Sequence, residues 1–173
     1  DPASWTPDTG CVDYNRSGLP LVEIITAPEF TSSQQVMEWL TKLVHNLAYL
    51  KAADSNAGIK VDVNVNIPGK TERVEIKNMS SIENIGKAIE YELERQEKEG
   101  SVKETRRFDP AKNKTMKMRT KEGAEDYRFI SDPDLQPIIL DKQKINKIKE
   151  TIPESPEIKL ENIIKKYKIG EKD

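Results

Sequence analysis

The sequence predicts an α+β domain in which an antiparallel sheet carries helices on one face, followed by the start of a helical domain. Residues 61–67 (VDVNVNI) alternate apolar and polar side chains with the period of a β-strand. Residues 31–50 and 80–100 instead space their apolar side chains by three and four positions, as amphipathic helices do. Near residue 141 the composition shifts to Lys, Ile, Asn and Glu, so we divide the chain into residues 1–140 and 141–173.

The first part of the chain combines loop, strand and helix patterns. Residues 1–18 have the Pro and Gly content of a loop. The branched apolar run LPLVEIIT at 19–26 predicts a buried strand that ends at Ala27-Pro28. The helix over 31–50 has Thr31 or Ser32 as its N-terminal cap.

Two hairpins and three further helices follow. Strands 61–67 and 72–77 flank a four-residue loop, and strands 102–109 and 115–121 flank the turn PAKNK. Between the hairpins, Ser80 and Glu83 form the pattern of a capping box, and Gly100 ends the helix that it starts. Near the C-terminus, KQKINKIKETI predicts a helix and Ser155-Pro156 starts another.

The composition excludes several functional classes. Lys and Arg total 28 and Asp and Glu total 30 among the 173 residues, so no overall basic field predicts nucleic-acid binding. Cys11 is the single cysteine, which excludes a disulfide framework and a cysteine zinc site. No apolar run approaches the roughly 18 residues of a membrane span, and we expect a soluble protein of a reducing compartment.

The first hairpin has one polar face with two interpretations. Apolar alternation predicts that Val63 faces Ile76 and Val65 faces Val74. The opposite face then carries three polar pairs: Asp62 with Lys77, Asn64 with Glu75, and Asn66 with Arg73. The pairs are typical of a solvated face, each contributing about 0.2–1 kcal/mol. However, Asp and Asn are poor strand formers, and carboxylate and amide oxygens are the ligands that Mg²⁺ prefers.

Glu23 is a second candidate, because branched apolar residues flank it on both sides. A buried carboxylate requires a partner, which is a metal cation, Arg16 or a polar cavity. The second hairpin concentrates positive charge that indicates either a solvated basic face or phosphate binding. Its basic residues and those that follow it are Lys103, Arg106, Arg107, Lys114, Lys117, Arg119, Lys121 and Arg128.

Five segments in order resemble one family, the B subunit of the aspartyl/glutamyl-tRNA(Asn/Gln) amidotransferase. They are DYNRSGLPLVEI (13–24), VDVNVNI with RVEIKN (61–78), KAIEYELERQ (87–96), ETRRFD (104–109) and MRTKEGAEDYRF with DPDLQP (118–137). The resemblance covers about residues 10–140 and implies the catalytic cradle domain of that subunit. The chain begins without Met and ends after a helix, and we interpret it as an excerpt of a longer protein.

The resemblance implies a ligase that forms a carbon–nitrogen bond with glutamine as amido donor. Such a subunit uses ATP and Mg²⁺ to phosphorylate the side-chain carboxylate of Glu-tRNA(Gln) or Asp-tRNA(Asn), and ammonia then displaces the phosphate. The implied partners are the amidase A subunit, which supplies the ammonia, a small C-type or F-type subunit, and the aminoacyl-tRNA. A non-catalytic tRNA-binding or scaffold module and the related archaeal E subunit are the alternatives.

The resemblance also implies site residues. Glu23 in PLVEI and Asp62 in VDVN match family positions that bind the catalytic metal. Phosphate contacts from ATP or tRNA are expected at Asn64, Lys77, Arg106, Arg119 and Arg128.

This sequence also departs from the family pattern. VDVN stands where the family has CDAN, which favours an organellar or divergent homologue. We expect a location in the mitochondrial matrix, with a bacterial cytoplasm or a plastid as the alternatives. The family's remaining metal ligands and its tRNA-gripping domain are absent from the excerpt, so we expect the excerpt alone to be inactive.

Overall fold

A computed structural model describes residues 4–6, 9–15, 17–53, 59–120, 134 and 136–170 of the chain. The chain divides into two compact units, residues 1–30 and residues 31–173.

The first unit contains a short antiparallel hairpin. Strand β1 (Ser4–Thr6) pairs with β2 (Cys11–Asp13). Residues 19–30 have no assigned helix or strand, and Val22 and Ile25 are each 81% exposed. The prediction of a buried strand over 19–26 is therefore wrong for this structure. Branched apolar residues favour strands, but a strand also needs a partner edge for its backbone groups, and local sequence does not supply one.

The second unit is built on a four-stranded sheet in the order β3-β4-β5-β6. Its strands are β3 (Val61–Val65), β4 (Val74–Met79), β5 (Glu104–Asp109) and β6 (Lys114–Thr120). The pairs β3–β4 and β5–β6 are antiparallel hairpins, as predicted, whereas β4 and β5 are parallel. Helix α2 (Ile82–Glu99) connects β4 to β5, as a parallel pair requires. The α+β prediction is thus confirmed, with one parallel pair in a mostly antiparallel sheet.

The helices build the core on one side of this sheet. Helix α2 packs on the strands, and α1 (Ser33–Tyr49) packs on α2. The buried apolar residues are Leu40, Val65, Val74, Ile76, Met79, Ile85, Ala88 and Ile89. Gly86 permits the close approach of the two helices, because a Cβ at this position would lie 2.5 Å from Sδ of Met37.

The helix ends largely follow the sequence signals. Ser32 caps α1, accepting a hydrogen bond from the Gln35 N–H at 3.3 Å. The cap of α2 is Ser81, which accepts from the Asn84 N–H at 3.4 Å, so the predicted cap at Ser80 is one residue early. Gly100 ends α2 as predicted, with a φ of 71° that glycine adopts without strain.

Two further helices, α3 (Lys142–Thr151) and α4 (Pro156–Tyr167), begin after Asp141 and Ser155 as predicted. Neither contains a buried residue in the described part of the chain. The domain boundary near residue 141 stays a prediction. None of the described helices combines the length and hydropathy that crossing a bilayer requires.

Candidate functional site

The face of the sheet opposite α2 is polar in β3 and β4. The pairs Val63–Ile76 and Asn64–Glu75 have the register that the apolar alternation predicts. With Val74 and Ile76 buried under α2, the alternate residues of the hairpin face the other way. We call this surface the polar face and define it by Asp62, Asn64, Glu75, Lys77, Thr105 and Arg107.

Lys77 holds together the two carboxylates of the polar face. Its Nζ lies 3.0 Å from Oδ2 of Asp62 and 3.0 Å from Oε1 of Glu75. Hydrogen bonds to Asp62 and then Glu75 raise the pKa of Lys77 above its usual value, so the ammonium stays charged at neutral pH. The side chains of Asp62 and Lys77 are 41% and 31% exposed, whereas that of Glu75 is 17% exposed. An ion pair as exposed as Asp62–Lys77 contributes about 0–1 kcal/mol to folding, and it leaves this part of the cluster accessible to a ligand.

Strand β5 extends the polar face. Thr105 pairs with Glu75 and Arg107 pairs with Lys77 in the parallel register. The Thr105 hydroxyl lies 3.5 Å from Oε2 of Glu75 and donates to it. Thr105 pairs in turn with Arg119 of β6. Asn64 and Arg119, two residues of the predicted site, therefore lie in one row across the sheet, through Glu75 and Thr105. The Arg119 side chain lies outside the described part of the structure.

Arg106 points to the opposite side of the sheet, toward α2. Its Nε donates to Oγ1 of Thr115 at 2.9 Å, and its Nη1 donates to Oε1 of Glu104 at 2.8 Å. The side chain is only 12% exposed. The phosphate contact expected of Arg106 stays a prediction, but its guanidinium already binds protein groups on the face away from Lys77.

A buried polar network surrounds Arg106 and centres on Glu92, which is fully buried in α2. Glu92 accepts hydrogen bonds from Arg95 at 2.6 Å, from Thr115 at 2.7 Å and from Gln96 at 3.0 Å. Burial alone would raise the pKa of Glu92, but the bonds from Arg95, Thr115 and Gln96 together lower it below its usual value. Glu92 is therefore an anion that joins α2 to β6.

The same network extends to the turn between β3 and β4. Nε2 of Gln96 donates to the carbonyl of Val65 at 3.1 Å, and its oxygen accepts from the Thr71 hydroxyl at 2.6 Å. Oγ1 of Thr71 in turn accepts from the Ile67 N–H at 2.7 Å. The network thus ties both hairpins to α2 beneath the polar face.

The remaining predicted site residues lie elsewhere. Glu23 belongs to the first unit, in the exposed segment 19–30. Arg16, one of the alternative partners of Glu23, and Arg128 lie outside the described residues. The sequence pattern did not assign Arg107 and Thr105 to the polar face, because ETRRFD contains no apolar alternation that distinguishes the two sides of its strand.

The donors of the polar face fit a Mg²⁺ ion that arrives with phosphate ligands. Among the described residues no group of three or more His, Cys, Asp or Glu side chains could hold a metal by itself. Mg²⁺ usually takes only one or two protein carboxylates, several waters and substrate phosphates. Asp62 and Glu75 supply two carboxylates on either side of Lys77, within that requirement.

Comparison with known proteins identifies the family. Residues 3–146 match the model of the GatB/GatE catalytic domain. The chain belongs to this family. Over its whole length it is 41% identical to the B subunit of the aspartyl/glutamyl-tRNA(Asn/Gln) amidotransferase of Methanocaldococcus jannaschii, of which it covers 38%.

Two further B subunits are identical to the chain to a similar extent. The chain is 42% identical to the protein of Methanothermobacter thermautotrophicus and 40% identical to that of Methanococcus vannielii, covering 39% of each. It therefore spans about two fifths of the length of these GatB relatives. All three come from archaea and are named as B subunits rather than E subunits, and the mitochondrial location stays a prediction.

Proposed function

We propose that this chain is the catalytic-domain part of the B subunit of a tRNA-dependent amidotransferase. In this proposal the subunit uses ATP and Mg²⁺ to phosphorylate the side-chain carboxylate of Glu-tRNA(Gln) or Asp-tRNA(Asn). Ammonia from glutamine then displaces the phosphate and leaves the amide. The observation that carries the proposal is the Asp62–Lys77–Glu75 cluster on an accessible sheet face of a GatB/GatE catalytic domain.

The residue types of the polar face suit phosphoryl transfer. This reaction depends on positioning and on neutralisation of phosphate charge, and it needs no nucleophile from the protein. ATP would supply the phosphoryl group, and Mg²⁺ would neutralise charge on its oxygens. Asp62 and Glu75 would hold the cation, with the exposed amide of Asn64 as a further oxygen donor beside Glu75.

Lys77 would contact different groups before and after the ligands bind. Without ligands its ammonium contacts both carboxylates at 3.0 Å and offsets part of their charge. When Asp62 and Glu75 bind a cation instead, the same ammonium can donate to a phosphate oxygen. Glu23 is proposed as a further metal ligand, on family resemblance alone.

The proposed function requires partners in addition to this chain. They are the amidase A subunit as the source of ammonia, a small C-type or F-type subunit, and the aminoacyl-tRNA. The names of the GatB relatives support an amidotransferase that acts on Asn and Gln tRNAs. The complex would be a ligase with glutamine as amido donor.

The test uses the complete subunit in its assembled complex and follows transfer of labelled phosphate from ATP to Glu-tRNA(Gln) while Mg²⁺ or Mn²⁺ is titrated. We expect Asp62→Asn to abolish metal-dependent labelling and to leave tRNA affinity within a few fold. Glu97→Gln is the matched control, because Glu97 lies on α2 and forms an exposed ion pair with Lys70 of the β3–β4 turn. Equal labelling in wild type and Asp62→Asn would contradict the metal assignment. Binding of tRNA without labelling in the wild type would instead favour a non-catalytic scaffold.

A further inference from the structure

Arg107 is an exposed cation of the polar face with no protein partner in the described structure. Its backbone pairs with Lys77 in the parallel register of β4 and β5. None of the hydrogen bonds and ion pairs among the described residues engages its guanidinium, although other cations of the same hairpin do meet carboxylates. Lys117 lies 3.5 Å from Glu104, and Lys112 lies 3.9 Å from Asp109.

The neighbouring Arg106, unlike Arg107, has protein partners among the described residues. Arg106 is 12% exposed and binds Glu104 and Thr115 on the side of the sheet that faces α2. Because successive side chains of a strand point to opposite faces, Arg107 lies on the side of Lys77. The network around Glu92 accounts for Arg106 as a structural residue, but it does not account for Arg107.

Among the described side chains of the polar face, Arg107 is the cation whose donors no protein group uses. Neighbouring strands lie about 4.8 Å apart, so a second cation stands directly beside Lys77. The ammonium of Lys77 already contacts the carboxylates of Asp62 and Glu75 at 3.0 Å each. The guanidinium of Arg107 is therefore the donor group of this pair that an added anion can use.

We propose that Arg107 binds a phosphate group at the β5 edge of the polar face. This inference rests on the proposed function and names the residue that receives the phosphate. The guanidinium is planar and presents paired N–H donors that match two phosphate oxygens. A phosphate bound to a divalent cation fits the positions of the charges on the polar face. The cation would lie at the carboxylates of β3 and β4, and the phosphate oxygens would lie at Arg107.

The phosphate can come from a nucleotide or from an RNA backbone, and two binding experiments on the complete subunit separate these sources. The first measures the Kd of ATP and of adenine-free tripolyphosphate, each with Mg²⁺. The second measures the Kd of a tRNA without ATP across a range of salt concentrations. The variants are Arg107→Ala, Arg107→Lys and the control Lys112→Ala, which removes a charge from the turn of the same hairpin.

We expect Arg107→Ala to weaken ATP and tripolyphosphate binding about tenfold, as the loss of a charge-assisted, bidentate contact would. Arg107→Lys should recover part of the affinity, and Lys112→Ala should leave it within about twofold because its contact is exposed. If the phosphate belongs to RNA, Arg107→Ala should instead weaken tRNA binding. The slope of log Kd against log salt concentration should then fall by about 1. A change in either experiment supports the site.

Two outcomes overturn the proposal. If Arg107→Ala behaves like Lys112→Ala in both experiments while Asp62→Asn still abolishes labelling, Arg107 is a solvated residue and the proposed function stands. If the wild type binds neither ATP, tripolyphosphate nor tRNA, the phosphate site and the proposed function both fail.

Discussion

The ammonium of Lys77 reaches Oδ2 of Asp62 at 3.0 Å across an irregularity in the β3–β4 ladder. Val61 pairs with Met79 and Val63 with Ile76, so two residues of β4 face the single residue Asp62. Bulges of this kind re-aim side chains and are frequent beside functional sites. The bulge thus determines how the carboxylate of β3 meets the cation of β4.

Replacement of Lys77 should increase the affinity of the polar face for divalent cations. Lys77→Met removes an ammonium that contacts the carboxylates of both Asp62 and Glu75. We expect Mn²⁺ binding, measured by electron paramagnetic resonance, to tighten about fivefold, because a unit charge at 4 Å contributes roughly 1 kcal/mol in water. Lys70→Met, which breaks the exposed pair with Glu97, is the control and should change nothing. Equal Mn²⁺ affinity in wild type and Lys77→Met would mean that the two carboxylates do not bind a cation.

The buried carboxylate of Glu92 should make stability depend on acid pH. Its folded pKa is lowered, so its stabilisation is complete above the unfolded pKa of about 4.3 and is lost as the pH falls through the folded value. We expect Glu92→Gln to lower the free energy of unfolding at pH 7 by about 3–5 kcal/mol, because Arg95 and Arg106 lose one of the two buried carboxylates that they contact, Glu92, and keep only Glu104. This difference should shrink below pH 4 in urea unfolding experiments.

Two further variants make this prediction robust. Thr115→Val removes one donor to Glu92 and should give a smaller loss, about 1–3 kcal/mol, if Glu92→Gln does not fold. Glu94→Gln, an exposed carboxylate on the same helix, should stay within about 0.5 kcal/mol of wild type. A stability difference for Glu92→Gln that is the same at pH 7 and pH 3.5 would show that Glu92 is not ionised in the folded protein.

Sequence alone predicted the first hairpin because its alternation is strict. A slip of one residue would move Val63 and Val65 to the solvent side, so the register with Ile76 and Val74 follows from the pattern. The grouping of Asp62, Asn64 and Lys77 on one face followed directly, although the bulge did not. Long-range pairing of β4 with β5 depends on how α2 crosses the sheet, and no local pattern records it.

Polar residues on buried surfaces were harder to predict. Glu92 and Gln96 have the composition of a helix exterior, yet both are fully buried. They are stable there because Arg95, Thr115 and the carbonyl of Val65 satisfy their hydrogen bonds. Arg95 lies on the same helix, but Thr115 and Val65 come from distant segments, so a helical pattern alone cannot identify them. For the same reason the sequence did not indicate that Arg106 contacts Glu104 and Thr115, and its phosphate contact stays a prediction.

The contact between α1 and α2 should not tolerate a large side chain at Gly86. A Cβ there already meets Sδ of Met37 at 2.5 Å, so Gly86→Leu forces the helices apart or displaces Met37. We expect a loss of about 1–3 kcal/mol in the free energy of unfolding. Met37→Ala should recover part of the loss when combined with Gly86→Leu, which a double-mutant cycle in urea measures. Strictly additive effects would mean that the leucine is accommodated without displacing Met37.

The start of α2 provides a matched test of the N-terminal cap. The Ser81 hydroxyl accepts from the Asn84 N–H, and the backbone of Ser81 has the extended conformation of a cap residue. Ser81→Ala should therefore lower the free energy of unfolding by about 1 kcal/mol. Ser80→Ala removes the hydroxyl that the sequence pattern favoured, one residue earlier and exposed, and should change the free energy by less than about 0.5 kcal/mol. Chemical unfolding of both variants compares them directly, and a larger loss for Ser80→Ala would return the cap to the capping box of Ser80 and Glu83.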